Sequence, residues 1–161
     1  LDVCAAPGTK TLQLANLVGI NGHIYASDIL PERVSLGQKD KNRHGKKNID
    51  WSLKDARKDA YCKADKILID APCSGLGTLA RNPDLRWRMS PAKINELVKL
   101  QLHLLEGLLP VLKRGGLIVY STCTINPDEN CRQISNFISI HDELKLKEQI
   151  FFIQFAKRQL H

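Results

Sequence analysis

Residues 1–11 read LDVCAAPGTKT, a sequence typical of a strand end, a turn and the start of a helix. The strand covers residues 1–3, the small-residue turn covers 4–8, and the helical pattern runs over 9–18. Gly19 follows as a helix stop, because glycine readily adopts the left-handed conformation that ends many helices. A strand, a turn and a helix in this order form the basic unit of a parallel α/β sheet.

The same unit repeats along the chain. We predict strands at 23–27, 49–53, 66–69 and 117–121, and helices at 9–18, 31–43, 91–114 and 126–141. Ser90 begins the third helix, which we expect to end at Gly115, and Asn126 with Glu129 has the spacing of a capping box. The tail 143–156 is expected to add one or two strands. Strict alternation predicts one α/β domain with a mostly parallel sheet and helices on both faces.

The composition is that of a soluble globular protein, with 43% hydrophobic and 25% charged residues among 161. No apolar run approaches the ~20 residues that cross a membrane, and no signal peptide is recognisable, so we expect a cytoplasmic protein without a membrane partner. The net charge is +7, and +5 of it comes from residues 31–58, where nine Lys and Arg outnumber four acids. This excess indicates either a polyanionic partner or a solvated basic face.

The cysteines indicate free thiols rather than a metal site. The chain has five: Cys4, Cys62, Cys73, Cys123 and Cys131. No two form a CxxC pair and no histidine lies at zinc-finger spacing, so we expect no metal. An odd count without a secretion signal is typical of a reducing compartment.

Polar side chains follow the predicted strands, at the edge where parallel sheets bind ligands. The residues at these strand ends are Cys4, Asp28, Asp55, Asp70, Cys73 and Cys123. Asp28 suits a ribose diol, because a carboxylate accepts two hydroxyl hydrogen bonds, and Asp55 can accept from an adenine amino group. Either acid can instead be a solvated loop residue.

The turn Ala5-Ala6-Pro7-Gly8 has little side-chain bulk, so its backbone and the following helix N-terminus can approach a ligand. It is not a dinucleotide fingerprint, because Gly8 is its only glycine. It is not a P-loop, because Val3 stands at the first glycine position and Thr9 separates Gly8 from Lys10. The spacing therefore argues against a P-loop nucleotide hydrolase.

Two further segments place a cysteine just past a strand end: DAPCSGLG at 70–77 and STCTINPDEN at 121–130. A thiol near a helix N-terminus is more acidic and more nucleophilic. Together with CAAPGTKT at 4–11, these segments resemble the RNA cytosine-5 methyltransferases, which include the bacterial Sun/Fmu/RsmB-type enzymes of 16S ribosomal RNA and the NOL1/NOP2/Sun family. The stretch RNPDLRW at 81–87 is most similar to the bacterial branch, and the resemblance covers roughly residues 1–141.

The resemblance implies a Rossmann-like S-adenosylmethionine-dependent methyltransferase domain over 1–161, with S-adenosylmethionine as the cofactor. The implied cofactor-binding residues are Cys4, Ala5, Ala6, Pro7, Gly8, Thr9, Lys10, Asp28, Asp55 and Asp70. Thr9 departs from the glycine that many members have at this position. The resemblance also implies a fragment, incomplete at both ends and without the family's N-terminal RNA-binding region.

The resemblance assigns Cys123 as the nucleophile, Cys73 to release of the methylated base, and Asp70 to the N3 edge of the base. Attack of a thiolate on carbon 6 of cytosine makes carbon 5 nucleophilic enough to accept a methyl group. Chemistry alone does not rank the two thiols, because DNA cytosine-5 methyltransferases use the cysteine of a Pro-Cys pair, as in Pro72-Cys73. Cys123 is favoured because its surrounding segment has the form found in the RNA enzymes.

The loop after Cys73 carries the predicted RNA contacts Arg81, Arg86, Trp87 and Arg88. Arginine binds phosphates and tryptophan stacks on bases, although Trp87 can equally pack against the domain. The expected partner is RNA, specifically small-subunit ribosomal RNA, and the expected state is a monomer. The alternative function is a non-catalytic RNA-binding or ribosome-assembly module, against which both intact cysteines argue. Phe151-Phe152-Ile153 resembles the family's last strand but arrives early in the chain.

Overall fold

The computed structural model describes residues 1–150, in which five parallel strands form one sheet. The strands are β1 (Asp2–Val3), β2 (Ile24–Asp28), β3 (Ile49–Leu53), β4 (Ala64–Asp70) and β5 (Leu112–Ser121). The helices are α1 (Thr9–Leu17), α2 (Pro31–Arg43), α3 (Leu85–Arg88), α4 (Pro91–Leu108) and α5 (Cys131–Ser139). The strand order is β3-β2-β1-β4-β5. The chain builds the sheet outward from β1 to β3 and then crosses back to add β4 on the other side of β1, so the switch point lies between β1 and β4. Ligands bind parallel sheets at such a switch point, beyond the carboxyl ends of the strands.

The helices cover both faces of the sheet, as the alternating pattern predicts. On one face, Val3, Ile67 and Ile69 form a buried cluster with leucines of α4 and with Phe137 of α5. On the other face, Ala26 and neighbouring strand residues pack against α1. Apolar side chains on both faces explain why β4 reads as a continuous apolar run rather than an alternating one.

The face covered by α1 and α2 includes a close contact between helix and strand. Trp51 of β3 lies under Gly37 of α2, where an added Cβ atom would be 2.3 Å from Cζ2 of the indole. Gly37 is buried, so the helix backbone rests directly on the aromatic ring. The absence of a side chain at this position allows α2 to pack closely against the edge of the sheet.

The end of α4 differs from the prediction. The helix ends at Leu108, a turn of 3-10 helix covers Leu109–Val111, and β5 already begins at Leu112. The expected end at Gly115 was therefore wrong. Pro110 lacks the N–H that a continuing helix requires, and residues 112–121 gain partners by pairing with β4.

The capping box at Asn126 was also wrong in part. The Asn126 side chain accepts a hydrogen bond from the backbone N–H of Asp128, as a cap does, but the segment that follows is a 3-10 turn, Pro127–Glu129. The α-helix begins only at Cys131 and ends at Ser139, and the Glu129 side chain points into the interior. Residues 143–150 contain no strand, and the rest of the predicted tail, including Phe151-Phe152-Ile153, lies outside the described residues.

Candidate active site

Two hydrogen bonds connect the turn after β1 to the end of β2. The backbone N–H of Ala5 donates to the Ser27 carbonyl at 2.9 Å, and the N–H of Ala6 donates to Asp28 Oδ2 at 3.3 Å. Gly8 precedes α1 with φ of +107°, a conformation that favours glycine because it has no Cβ. The small residues therefore hold the backbone of this turn, and the N-terminus of α1, at the switch point of the sheet.

A cavity of about 300 Å³ lies beside this turn. Its walls include the two strand-end acids Asp28 and Asp55, together with Cys4. The apolar part of the wall is contributed by Ile29, Leu30, Ala56, Pro72, Leu100 and Leu104. Burial raises the pKa of the Cys4 thiol to about 12, so this cysteine is a neutral wall residue rather than a nucleophile. A wider hollow of about 550 Å³ beyond Asp55 has a mainly charged lining and contains none of the cysteines.

The two acids are held in different ways. Asp28 is buried and accepts one backbone N–H on each oxygen, from Leu30 at 3.1 Å and from Ala6. Asp55 accepts hydrogen bonds from Arg57 Nε at 2.8 Å and Nη2 at 2.6 Å, and these bonds lower its pKa to about 2. Both carboxylates face the cavity, with Asp55 engaged by the neighbouring guanidinium.

Asp70 links the start of α1 to the ends of β4 and β5. Its Oδ2 is ion-paired with Lys10 from the start of α1, and its Oδ1 accepts a hydrogen bond from Ser121 Oγ at 2.8 Å. Asp70 ends β4 and Ser121 ends the neighbouring β5. These two contacts of Asp70 therefore connect the region after β1 to the loops that carry Cys73 and Cys123.

The two cysteines lie in contact, although 50 residues separate them in the chain. Their sulfur atoms are 3.2 Å apart, and the backbone N–H of Cys123 donates to Cys73 Sγ at 3.3 Å. Cys123 is exposed and Cys73 is half-buried. Both are free thiols in the loops that follow Asp70 at the end of β4 and Ser121 at the end of β5.

The contact makes the two thiols chemically unequal. The hydrogen bond from Cys73 lowers the pKa of Cys123 to about 6, against the opposing effect of burial. The same hydrogen bond, reinforced by burial, raises the pKa of Cys73 well above its usual range. When the S–H of Cys73 donates to Cys123, these pKa shifts favour the thiolate form at Cys123. Because the thiolate is the more nucleophilic form of a cysteine, the lowered pKa makes Cys123 the more reactive of the two thiols.

A buried carboxylate beneath the thiol pair was missed by the sequence analysis. Glu129 is fully buried and binds Ser74, the residue that follows Cys73. The spacing from Asn126 to Glu129 suggested a helix cap, and that local signal hid the inward orientation. The available clue was that this glutamate follows a segment rich in hydroxyl side chains, which can bind a carboxylate.

The predicted RNA-contact residues lie on an exposed arm next to the thiols. Trp87 is 85% exposed, so it does not pack against the domain. Arg81, Arg86 and Arg88 are also exposed, and Arg88 is paired with Asp84 on the helix surface. The arm is anchored through Leu85, which lies against the Gly75 turn two residues after Cys73.

Two further findings concern residues 1–150. No helix in this part of the chain is long and apolar enough to cross a membrane. The same residues contain no group of three or more His, Cys, Asp or Glu side chains arranged to hold a metal ion.

Comparison with known proteins confirms the fold and the resemblance. A family model described as 16S rRNA methyltransferase RsmB/F matches residues 1–159. The probable ribosomal RNA small subunit methyltransferase B of Synechocystis sp. is 47% identical over 146 residues, which are 88% of this chain and 33% of that protein. The ribosomal RNA small subunit methyltransferase B of Yersinia enterocolitica is 40% identical over 152 residues, or 92% and 35% of the two chains.

A solved structure gives the same result. NSun6 from Pyrococcus horikoshii, determined with SFG, superimposes with a TM-score of 0.81 at 38% identity, covering 94% of this chain and 39% of that one. This chain thus spans about a third of the length of the curated relatives it matches. On these matches and on the parallel sheet described above, the chain belongs to the 16S rRNA methyltransferase RsmB/F family.

Proposed function

We propose that this chain carries the centre that methylates carbon 5 of cytosine in small-subunit ribosomal RNA, through a covalent bond between Cys123 and carbon 6 of the base. The observation that carries the proposal is the 3.2 Å contact between Cys73 and Cys123, which lowers the pKa of the Cys123 thiol and raises that of Cys73. A nucleophile and a separate proton-handling group are the two functions that this chemistry requires.

S-adenosylmethionine is the cofactor of the family, and the cavity beside Cys4 suits it. The apolar wall is suitable for an adenine ring, and each Asp28 oxygen, having accepted one N–H, can accept a ribose hydroxyl as well. The proposed binding residues are the turn residues Cys4, Ala5, Ala6, Pro7, Gly8, Thr9 and Lys10, with Asp28, Asp55 and Asp70. When bound, the cofactor supplies an electrophilic methyl group.

Cys123 performs the first step on the base. Its thiolate forms the S–C6 bond, and the electron pair of the C5–C6 double bond becomes available at carbon 5 for bond formation. N3 of the base takes up a proton from solvent as the adduct forms, and the Asp70 carboxylate is proposed to accept a hydrogen bond from that N3–H. Lys10, which is paired with Asp70, adds positive charge beside the adduct. The base must leave its stack to reach this edge, because carbon 6 is otherwise covered by its neighbours.

Cys73 is proposed to act in release. While Cys123 is a thiolate, the hydrogen bond between the two sulfurs keeps the proton on Cys73. Formation of the S–C6 bond removes that charge, so Cys73 can lose its proton to solvent and then accept the proton from carbon 5. The electrons of the C5–H bond re-form the C5–C6 double bond, and Cys123 leaves as a thiolate.

The exposed arm is proposed to hold the RNA. Trp87 presents an exposed aromatic side chain, and Arg81, Arg86 and Arg88 of the same arm are exposed as well. Aromatic stacking and phosphate contacts are the usual means of binding single-stranded RNA. The position of the arm supports this proposal, because it begins four residues after Gly77 and belongs to the loop that carries Cys73.

The test is a covalent protein–RNA adduct on a denaturing gel, with the full-length natural protein, small-subunit ribosomal RNA and S-adenosylmethionine. We expect Cys73→Ala to accumulate adduct and Cys123→Ala to form none. Cys62→Ala, at an exposed cysteine outside the site, is the matched control and should behave as wild type. An adduct that requires Cys73 and not Cys123 would invert the two roles. If no variant forms an adduct while S-adenosylmethionine still binds, a non-catalytic RNA-binding module becomes the better description.

A further inference from the structure

We propose that Glu129 is a positioning residue that sets the contact between the two cysteines, acting through Ser74 and Thr124. The inference rests on the proposed function, because it explains how that pair of thiols is maintained. Glu129 itself is buried and binds Ser74, which follows Cys73, and Ser74 in turn contacts Thr124, which follows Cys123.

The carboxylate of Glu129 is bound on both oxygens. Oε1 accepts the backbone N–H of Ser74 at 2.8 Å and Gln101 Nε2 at 3.1 Å. Oε2 accepts Ser74 Oγ–H at 2.5 Å and Asn126 Nδ2 at 3.4 Å. Gln101 also donates to the carbonyl of Pro72 at 2.9 Å. The residues before and after Cys73 are therefore held by one connected pair of buried side chains, Gln101 at Pro72 and Glu129 at Ser74.

The network continues to the second cysteine through hydroxyl groups. Ser74 Oγ lies 2.7 Å from Thr124 Oγ1, and Thr124 directly follows Cys123. A carboxylate only accepts hydrogen bonds, so the single proton of Ser74 Oγ must point to Glu129. Thr124 Oγ1 then donates to Ser74 Oγ, and it accepts the backbone N–H of Asn126 at 3.2 Å. The charge on Glu129 thereby sets the direction of the two hydroxyl hydrogen bonds, from Ser74 to Glu129 and from Thr124 to Ser74.

Because Glu129 is buried, its carboxylate depends on these hydrogen bonds rather than on water. Within residues 1–150, no cation is paired with Glu129, so its charge is balanced by hydrogen-bond donors alone. A buried carboxylate that loses one donor pays a desolvation cost that a surface group would recover from water. Ser74 and Thr124, both buried, therefore stay at hydrogen-bonding distance, and the two cysteines beside them stay in contact.

The alternative is that these buried side chains only fill space. Thr124 separates the two explanations, because valine has the shape of threonine without the hydroxyl and serine has the hydroxyl without the methyl. A positioning role predicts damage from Thr124→Val and rescue by Thr124→Ser, whereas a packing role predicts the reverse.

The experiment measures the pH dependence of Cys123 alkylation by iodoacetamide, followed by mass spectrometry of the Cys123 peptide in the full-length natural protein. We expect the midpoint to rise by about one unit or more in Thr124→Val and in Glu129→Gln, a tenfold smaller ratio of thiolate to thiol at a given pH, and to stay near wild type in Thr124→Ser. Asp128→Asn is the matched control, because Asp128 adjoins Glu129 but pairs with Arg132 at the surface.

Melting temperatures measured in parallel separate folding from positioning. If Glu129→Gln does not fold, the two Thr124 variants still decide the matter. The inference is overturned if Thr124→Val keeps the wild-type midpoint, or if Thr124→Ser shifts it as far as Thr124→Val does. The alkylation measurement needs neither RNA nor methyl transfer. Absence of a protein–RNA adduct in wild type would therefore refute the proposed function without affecting the conclusion about Glu129 and Thr124.

Discussion

Replacing Cys73 with alanine removes the hydrogen-bond donor that lies 3.2 Å from the sulfur of Cys123. This hydrogen bond is the largest influence lowering the pKa of Cys123 from 9.0 to about 6. The remaining effects on Cys123 include burial and the charge of Asp70, both of which raise its pKa. In Cys73→Ala we therefore expect the pKa to return toward 9, and the change in thiol chemistry follows from that shift.

The shift has two opposing effects on reactivity. At pH 7 a pKa of about 6 leaves about 90% of Cys123 as thiolate, and a pKa near 9 leaves about 1%. A more basic thiolate is intrinsically more nucleophilic, by about 20-fold for three units at a Brønsted coefficient of about 0.45. The net loss at pH 7 is thus only about fourfold, and the two rate profiles cross between about pH 7 and 8.

The assay is therefore a full pH profile of Cys123 alkylation rather than a rate at one pH. The expected profile of Cys73→Ala has its midpoint about three units higher and reaches a higher plateau in alkali. Cys62→Ala provides the control for loss of an unrelated thiol. A midpoint for Cys73→Ala within about half a unit of wild type would show that Cys73 does not activate Cys123, and the assigned difference between the thiols would be wrong.

Four further outcomes follow from the structure. Asp28→Asn, which removes a buried charged acceptor, should weaken S-adenosylmethionine binding by calorimetry about 10-fold or more, and an unchanged Kd would exclude Asp28 from the site. Trp87→Ala should weaken RNA binding about 10-fold or more without changing the melting temperature, since the side chain is 85% exposed; equal RNA affinity would contradict stacking. Gly37→Ala places a Cβ 2.3 Å from Trp51 and should cost about 1–3 kcal/mol in urea unfolding, so a neutral result would refute the close packing of α2. Burial raises the pKa of Asp2 to about 6, so the folded state holds this proton more tightly than the unfolded state. The free energy of unfolding should therefore fall as pH rises from about 4 to 6, by about 3 kcal/mol at most, and Asp2→Asn should remove this component from the pH profile of urea unfolding; identical profiles would contradict the shift.

Local sequence features predicted the helices and strands correctly where tertiary packing did not override them. Helix α2 runs over Pro31–Arg43 and β3 over Ile49–Leu53, both as predicted, because proline at the first helical position and a short apolar run are local features. The end of α4 could not be obtained in this way. The leucine pattern continues past Pro110, and only the pairing of β5 with β4, including its register shift near Ala64, shows that a strand begins there.

The site was predictable to the extent that a parallel sheet gathers its strand ends. That rule alone predicts that Cys4, Asp28, Asp70 and Cys123 share one edge, and the structure brings them there. The inequality of the thiols was not predictable, since it depends on a sulfur–sulfur distance between loops 50 residues apart. Glu129 was hidden for a similar reason: its spacing from Asn126 is the same whether it caps a helix or turns inward.

The backbone contact between the two cysteine loops has a consequence for protein engineering. Gly77 donates its N–H to the carbonyl of Cys123 at 3.0 Å, and a Cβ at that position would lie 2.8 Å from the same oxygen. The two loops thus meet where one has no room for a side chain, at Gly77, and the other carries Cys123. A chimera between relatives should therefore exchange both loops together, because a loop that is exchanged alone has to fit against a partner loop from a different protein.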